Sequence, residues 1–301
     1  MYYQQNGFRK IFAGLQLAAV CSIAIALATA PAARAQCIGS PTGTILAWYP
    51  FDETVSPSHD LATGNRVAWS GTLTPVPGEV AGALNFTNGY MDAPNSIITN
   101  FGPASDAAKC GGGDFSTCQG DFTIDAWVNL TTVPLSGVNT IVDKRDGNPI
   151  GYEFYIFGTS YYDDGYPYFG LQLGDAAHGY TNYGSIPLGP GTGPSPGVGL
   201  TAGAWHHVGV AVTRLGPGGT DGNMAFYLDG TPVLTSGNLP PAQTGSLVNS
   251  VPLSIGAVGA AWGGGSNFNG ALDELQIFNK VLTATEMEAI YEAGPSGQCK
   301  P

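Results

Sequence analysis

The chain has 301 residues, of which 43% are apolar and only 11% charged, with 45 glycines and 22 prolines. That is apolar sequence enough for a sizeable core, and so much glycine and proline argues against a helical protein and for strands joined by many turns. Against 10 Lys and Arg stand 22 acids, a formal charge of −12, which argues against nucleic-acid and anionic-membrane partners, because neutralising phosphates takes a basic surface.

Residues 1–35 carry Arg9 and Lys10, then an apolar run from Ile11 to about Ala30, then Ala33-Arg34-Ala35. This is the pattern of a secretory signal peptide with an A-x-A cleavage site, the other reading being an uncleaved anchor. Cleavage after Ala35 predicts a mature chain 36–301, secreted or held at a cell surface or in a periplasm, with no membrane association of its own. It removes three cations and no acid, so the mature chain is more acidic still. Cys21 leaves with the peptide, and Cys37, Cys110, Cys118 and Cys299 remain, an even number in an exported chain. Three connectivities are open. The expected one pairs Cys110 with Cys118 across a short glycine-rich loop and Cys37 with Cys299 across the chain ends.

Thr44–Phe51, TILAWYPF, reads as the first strand, ended by Asp52 and Glu53. GALNFTNGYMDAP then holds two short runs about Asn88-Gly89, which predicts a hairpin turn there. Phe122–Leu130, FTIDAWVNL, alternates cleanly, with Phe122, Ile124, Ala126, Val128 and Leu130 on one face and Thr123, Asp125, Trp127 and Asn129 on the other. The first face is core. The second combines an acid, an indole and an amide, which suits a sugar that stacks and hydrogen-bonds; the other reading is an indole covered by a neighbouring segment.

Residues 141–174 contain three strand-like runs separated by DGNP and DDGYP turns, an aromatic-rich meander. Its Tyr161, Tyr162 and Tyr166, beside Asp163 and Asp164, are the tyrosines expected to face a ligand. The following 185–203 stretch is too rich in glycine and proline for a ladder. Its Gly193-Pro194-Ser195-Pro196-Gly197 matches the G-x-S-x-G nucleophile pattern in form only, since Pro196 removes the backbone donor an oxyanion needs and no helix pattern follows.

Trp205–Thr213, WHHVGVAVT, is another alternating strand, on which the adjacent His206 and His207 face opposite sides and cannot share a metal. MAFYLDGTPVLT predicts a hairpin about Asp229-Gly230, and PLSIGA a short strand. Ala271–Phe278 follows as a strand whose neighbouring acids Asp273 and Glu274 should be separated by the pleat. Thr283 with Glu286 is a capping-box pattern, after which Met287, Ile290 and Tyr291 share one helical stripe before Gly294 and Pro295 end it.

The segments AWYPFDE, GALNFTNGYMDAP, FTIDAWVNL, WHHVGVAVT, FYLDGTPV, PLSIGA and NGALDELQIFNKVLTATEMEAIY resemble, in that order, the laminin-G-like jelly-roll domains of the concanavalin A-like lectin/glucanase superfamily. The resemblance implies an all-β fold, a concanavalin A-like jelly-roll sandwich of two antiparallel sheets with one short C-terminal helix, filling 36–301 as one domain. It also implies side-by-side first and last strands whose acids, Asp52 with Glu53 as its alternate and Asp273, share a structural calcium ion. The superfamily's glucanases carry an E-x-D-x-x-E strand; this sequence has none, neither Asp273 nor Glu153 has a same-face acid two or four residues away, and Asp125 has only Asp121, at the strand's start. The expectation is therefore a non-enzymatic, lectin-like module for carbohydrate or cell-surface glycan. The alternative is a structural or adhesion module that binds extracellular proteins, and a divergent glycoside hydrolase comes third.

Overall fold

A computed structural model of the chain describes residues 37–41, 45–95, 100–103, 120–160, 164–189, 199–215, 221–239, 244–264 and 268–301. The targeting segment, Cys110, Cys118, Tyr161, Tyr162 and the Gly193–Gly197 pentapeptide lie outside these residues.

The strands follow the apolar and alternating runs. First come β1 (Ile45–Tyr49), the two-residue β2 (Ser58–His59) and β3 (Arg66–Val67), β4 (Trp69–Pro77) and β5 (Gly82–Ala93). The middle is β6 (Phe122–Leu130), β7 (Val138–Arg145), β8 (Gly151–Phe157), β9 (Tyr168–Asp175) and β10 (Gly179–Gly184). Then come β11 (Trp205–Leu215), β12 (Asp221–Leu228), β13 (Thr231–Leu239), β14 (Leu253–Ile255) and β15 (Gly270–Phe278), followed by the helix α1 (Ala284–Ala293). One antiparallel path runs β10-β9-β8-β7-β14-β5-β15-β6-β11-β12-β13, with β1 added on β15 and β4 on β5. This is the all-β jelly-roll architecture, and Gln36–Pro301 forms one compact unit.

The path curls so that its two ends share one core. Phe154 of β8 and Phe226 of β12, far apart along it, have ring centroids 6.5 Å apart. Phe101 bridges Phe122 of β6 and Tyr152 of β8 at 4.3 and 5.2 Å. Phe122, Ile124, Ala126, Val128 and Leu130 all lie in that core, so the alternation in β6 is realised as read. Each such phenyl ring, fully removed from water, contributes about 1.5–3 kcal/mol.

Turn chemistry works as expected at one site and fails at another. Asp229 and Gly230 both have positive φ, 50° and 72°, the type I′ geometry that joins β12 to β13. Asn88-Gly89 makes no turn: β5 runs straight through it, and Gly89 lies opposite Gly71 of β4. A Cβ at Gly89 would come within 2.7 Å of the Ser70 carbonyl oxygen, so this glycine serves close strand approach rather than reversal.

The chain ends are fastened together. Cys37 is disulfide-bonded to Cys299, 262 residues away. Beside the bond, the Ile38 N–H donates to the Gly297 carbonyl at 3.0 Å and the Cys299 N–H to the Ile38 carbonyl at 2.8 Å. β1 pairs with the second half of β15, Tyr49 opposite Leu275. α1 carries its capping box: Thr283 accepts from the Glu286 N–H, and the Glu286 side chain accepts from the Thr283 N–H at 2.9 Å.

Candidate functional site

The curled sheet has two outward faces, and one of them is covered. Across β6, β11 and β12 lies α1, with Met287 and Ile290 buried against Ala211, Tyr227, Phe278 and Leu282. Gly209 of β11 makes the close fit possible, since a Cβ there would meet the Met287 methyl at 2.4 Å.

The other face crosses β5, β14, β7, β8, β9 and β10, and it carries a polar row in register. Asp92 lies opposite Ser254, Ser254 opposite Asp143, Asp143 opposite Glu153, Glu153 opposite Gln172 and Gln172 opposite Asn182. With adjacent strands about 4.8 Å apart, six of them span roughly 24 Å. In β8 the residues between are Tyr152, Phe154 and Ile156, all in the core, so the pleat sends Glu153 to this face.

Hydrogen bonds run the length of the row. Ser254 Oγ donates to Asp92 Oδ1 at 2.6 Å. The Arg145 guanidinium holds Asp143 through Nε at 2.8 Å and Nη2 at 2.9 Å, pairs with Glu153 Oε2 at 2.8 Å and donates to Gln172 Oε1 at 2.5 Å. Gln172 Nε2 then donates to Asn182 Oδ1 at 2.7 Å. Burial pushes the Glu153 carboxyl up to about 7, with the Asp143 charge adding to the rise and Arg145 and the Thr140 hydroxyl opposing it. The centre is thus a locked network in which every charge has a partner.

The ends and rim of the row are open. Asn182 and Tyr180 are exposed at the β10 edge. At the β5 end a hollow of about 60 Å³ is lined by Tyr90, Asp92, Ser254 and the 257–264 loop. That loop also supplies Trp262, 42% exposed, whose ring lies 5.1 Å from the Arg145 guanidinium carbon and whose Nε1 donates to the Asp146 carbonyl at 2.9 Å. An exposed indole beside a guanidinium, on a face that also carries amide, hydroxyl and carboxylate groups, suits a neutral, polyhydroxylated ligand.

A family model for the concanavalin A-like lectin/glucanases superfamily, of laminin-G type, matches residues 102–288, more than half of the chain. The chain belongs to this superfamily. No curated protein sequence matches it. Among solved structures, it is similar to domain 4 of AbnA, a GH43 extracellular arabinanase from Geobacillus stearothermophilus, solved with arabinotriose. The TM-score is 0.53 at 15% identity, covering 82% of this chain and 97% of that one. It is also similar to the binding domain of Paraclostridial Mosquitocidal Protein 1, with a TM-score of 0.56 at 16% identity, and to that of Botulinum neurotoxin DC with rat synaptotagmin II, 0.55 at 13%. These cover 82% and 83% of this chain, which spans about half the length of each toxin domain.

Of the residues expected from sequence to meet a ligand, Asp125, Trp127 and Asn129 lie on β6 and Tyr166 lies before β9. Asp125 and Trp127 are 1% and 4% exposed. The Trp127 ring packs 5.7 Å from Tyr291 of α1 and 5.3 Å from His207, and Asp125 is paired with His207 Nε2 at 3.2 Å. The covering segment is the C-terminal helix, and Trp127 lines a cleft shared with Glu79, Trp205, Tyr291 and Glu292. Asn129 is half-buried, opposite Trp205. Tyr166 packs on Gly189, while Tyr161 and Tyr162 lie outside the described residues. His206 and His207 do take separate partners, His206 Nδ1 lying 2.9 Å from Asp229.

The expected calcium ligands do not form an open oxygen cage. Asp52 accepts from the Gly82 N–H at 2.8 Å and pairs with the Lys300 ammonium at 2.5 Å. Glu53 is turned away to the His59 backbone N–H at 2.7 Å. Asp273 Oδ2 accepts from the Val80 N–H at 2.8 Å. The pleat does not keep Asp273 and Glu274 apart, because Glu274 sits at a bulge with a φ of 48°. That turn of the backbone places its carboxylate on Trp48 Nε1 at 2.5 Å and on Lys300 at 2.8 Å. Calcium wants six to eight oxygens, and here a lysine already lies among the acids.

Proposed function

We propose that the chain is a secreted, non-catalytic glycan-binding module that takes an oligosaccharide along the face from Tyr90 and Asp92 to Tyr180 and Asn182, over Trp262. One observation carries this reading: six register-matched polar residues cross the sheet face away from α1, with Asn182 exposed and Asp92 half-buried at its ends and Ser254, Asp143, Glu153 and Gln172 buried between them. The fold likeness to an arabinanase domain solved with arabinotriose, and to a neurotoxin binding domain solved in complex with SialylT, supports carbohydrate as the ligand class. The absence of turnover is supported by Arg145, which ties both facing acids, Asp143 and Glu153, where a glycosidase needs one free as acid and one as base or nucleophile.

The test is a glycan array with the mature chain, followed by calorimetry on the best binder and on Trp262→Ala and Asn182→Ala. Each variant should weaken binding about tenfold, the equivalent of about 1.4 kcal/mol, without changing the unfolding midpoint. An array with no binder, together with protein partners recovered after glycan removal, overturns the proposal in favour of an adhesion module. Release of reducing ends from a bound polysaccharide overturns the non-catalytic part.

A further inference from the structure

The α1 side of the molecule holds a cleft of about 320 Å³, lined by Glu79, Trp127, Trp205, Tyr291, Glu292 and Gly294. That is the lower end of the range for small-molecule sites, roughly 300–1,000 Å³. In the β6–β11 ladder Trp205 lies opposite Asn129 and His207 opposite Trp127, so the two indoles are diagonal neighbours on one face. The third ring, the exposed Tyr291 of α1, lies 5.7 Å from the buried Trp127. Glu79 comes from the turn joining β4 to β5, which the Gly78 N–H closes on the Ala81 carbonyl at 3.1 Å and the Val80 N–H anchors on Asp273 at 2.8 Å. Its carboxylate reaches the end of the helix, where a Cβ on Gly294 would stand 3.7 Å from Oε1.

The cleft is aromatic and negative, with no cation of its own. Among the described residues neither Glu79 nor Glu292 enters an ion pair, and the lining holds no lysine or arginine. Burial raises the Glu79 carboxyl above its usual range. Burial, with the Asp229 and Glu79 charges adding to it, raises the Tyr291 phenol. α1 also ends here, and the carbonyl end of a helix is the negative pole of its dipole. We propose that this cleft is a site for the quaternary ammonium group of a small organic cation, held among the Trp127, Trp205 and Tyr291 rings with Glu79 and Glu292 beside it. Aromatic rings attract such a cation through their negative faces. A hard metal ion wants six to eight oxygens instead, and rings supply none. A sugar would stack on the same rings but leave both carboxylates without a counter-charge.

Calorimetry on the mature chain tests this with choline and with dimethylbutanol, its uncharged isostere. Choline should bind saturably and about tenfold tighter than the alcohol. Betaine, whose own carboxylate meets Glu79 and Glu292, should bind more weakly than choline. Trp205→Leu, which keeps apolar bulk and removes the ring, and Glu79→Gln should each weaken choline roughly tenfold. Equal affinity for choline and the alcohol overturns the proposal, because the cleft would then select shape and not charge. No saturable choline binding overturns it as well, and binding to phosphatidylcholine vesicles without affinity for free choline does so in favour of a membrane surface. If Trp205→Leu fails to accumulate, Glu79→Gln decides alone, and an unchanged choline affinity there overturns the proposal equally.

Discussion

Glu153 shows how one side chain's meaning depends on what it faces. In sequence it has no same-face acid on its own strand, whereas in the fold Asp143 lies directly opposite it and Arg145 bridges the two. Burial outweighs that bridge and raises its carboxyl from 4.5 to about 7. A folded pKa above the unfolded one means the folded state binds more protons across that window. Its contribution to stability is then full below about 4.5 and is lost as pH rises through about 7. Glu153→Gln should flatten this part of the profile, read as the wild-type minus variant unfolding midpoint between about pH 4 and pH 8. The groups facing it are Arg145, Asp143 and the Thr140 hydroxyl. A difference that grows with pH contradicts the shift. Trp127 makes the complementary point: its strand position was legible, but its cover, α1, is brought in from more than 150 residues away.

At the scale of elements, α1 decides which face is available. Its start is specified locally, by Thr283 and Glu286, and its stripe places Met287 and Ile290 inward. Thr283→Ala removes the cap and should cost about 1 kcal/mol in chemical denaturation. The loss should leave glycan binding on the far face unchanged, and a binding defect would contradict the assignment of the two faces. Strand β4 was not legible, because WSGTLTPVP lacks the apolar alternation of a strand and its residues are largely exposed. It pairs along the edge of β5, held by the ladder and by the Gly71 and Gly89 approach rather than by burial. For the same reason Asn88-Gly89 misleads: a dipeptide that can turn is kept extended when a long neighbour pairs with it on both sides of the glycine.

The molecule as a whole is closed by its ends. β1 lies on β15, Cys37 on Cys299 and Lys300 on Asp52, all within one clasp. A bond spanning 262 residues removes a large share of unfolded-chain entropy. The Cys37→Ser/Cys299→Ser chain should therefore lose roughly 2–5 kcal/mol of unfolding free energy. Equal stability by denaturant titration would mean that the β1–β15 ladder holds the ends unaided. The sequence by itself determined the strands β6, β11 and β15, the Asp229-Gly230 turn and the capped helix, because periodicity, turn conformation and capping are local properties; of three possible cysteine connectivities it favoured the one whose terminal pair the structure contains. Only the tertiary structure decided the site. The row from Asp92 to Asn182 exists through the register of six strands, the covering of Trp127 through the docking of α1, and the Lys300 clasp through a bulge at Glu274. Register, docking and bulges are set by contacts between distant segments, which no single segment encodes.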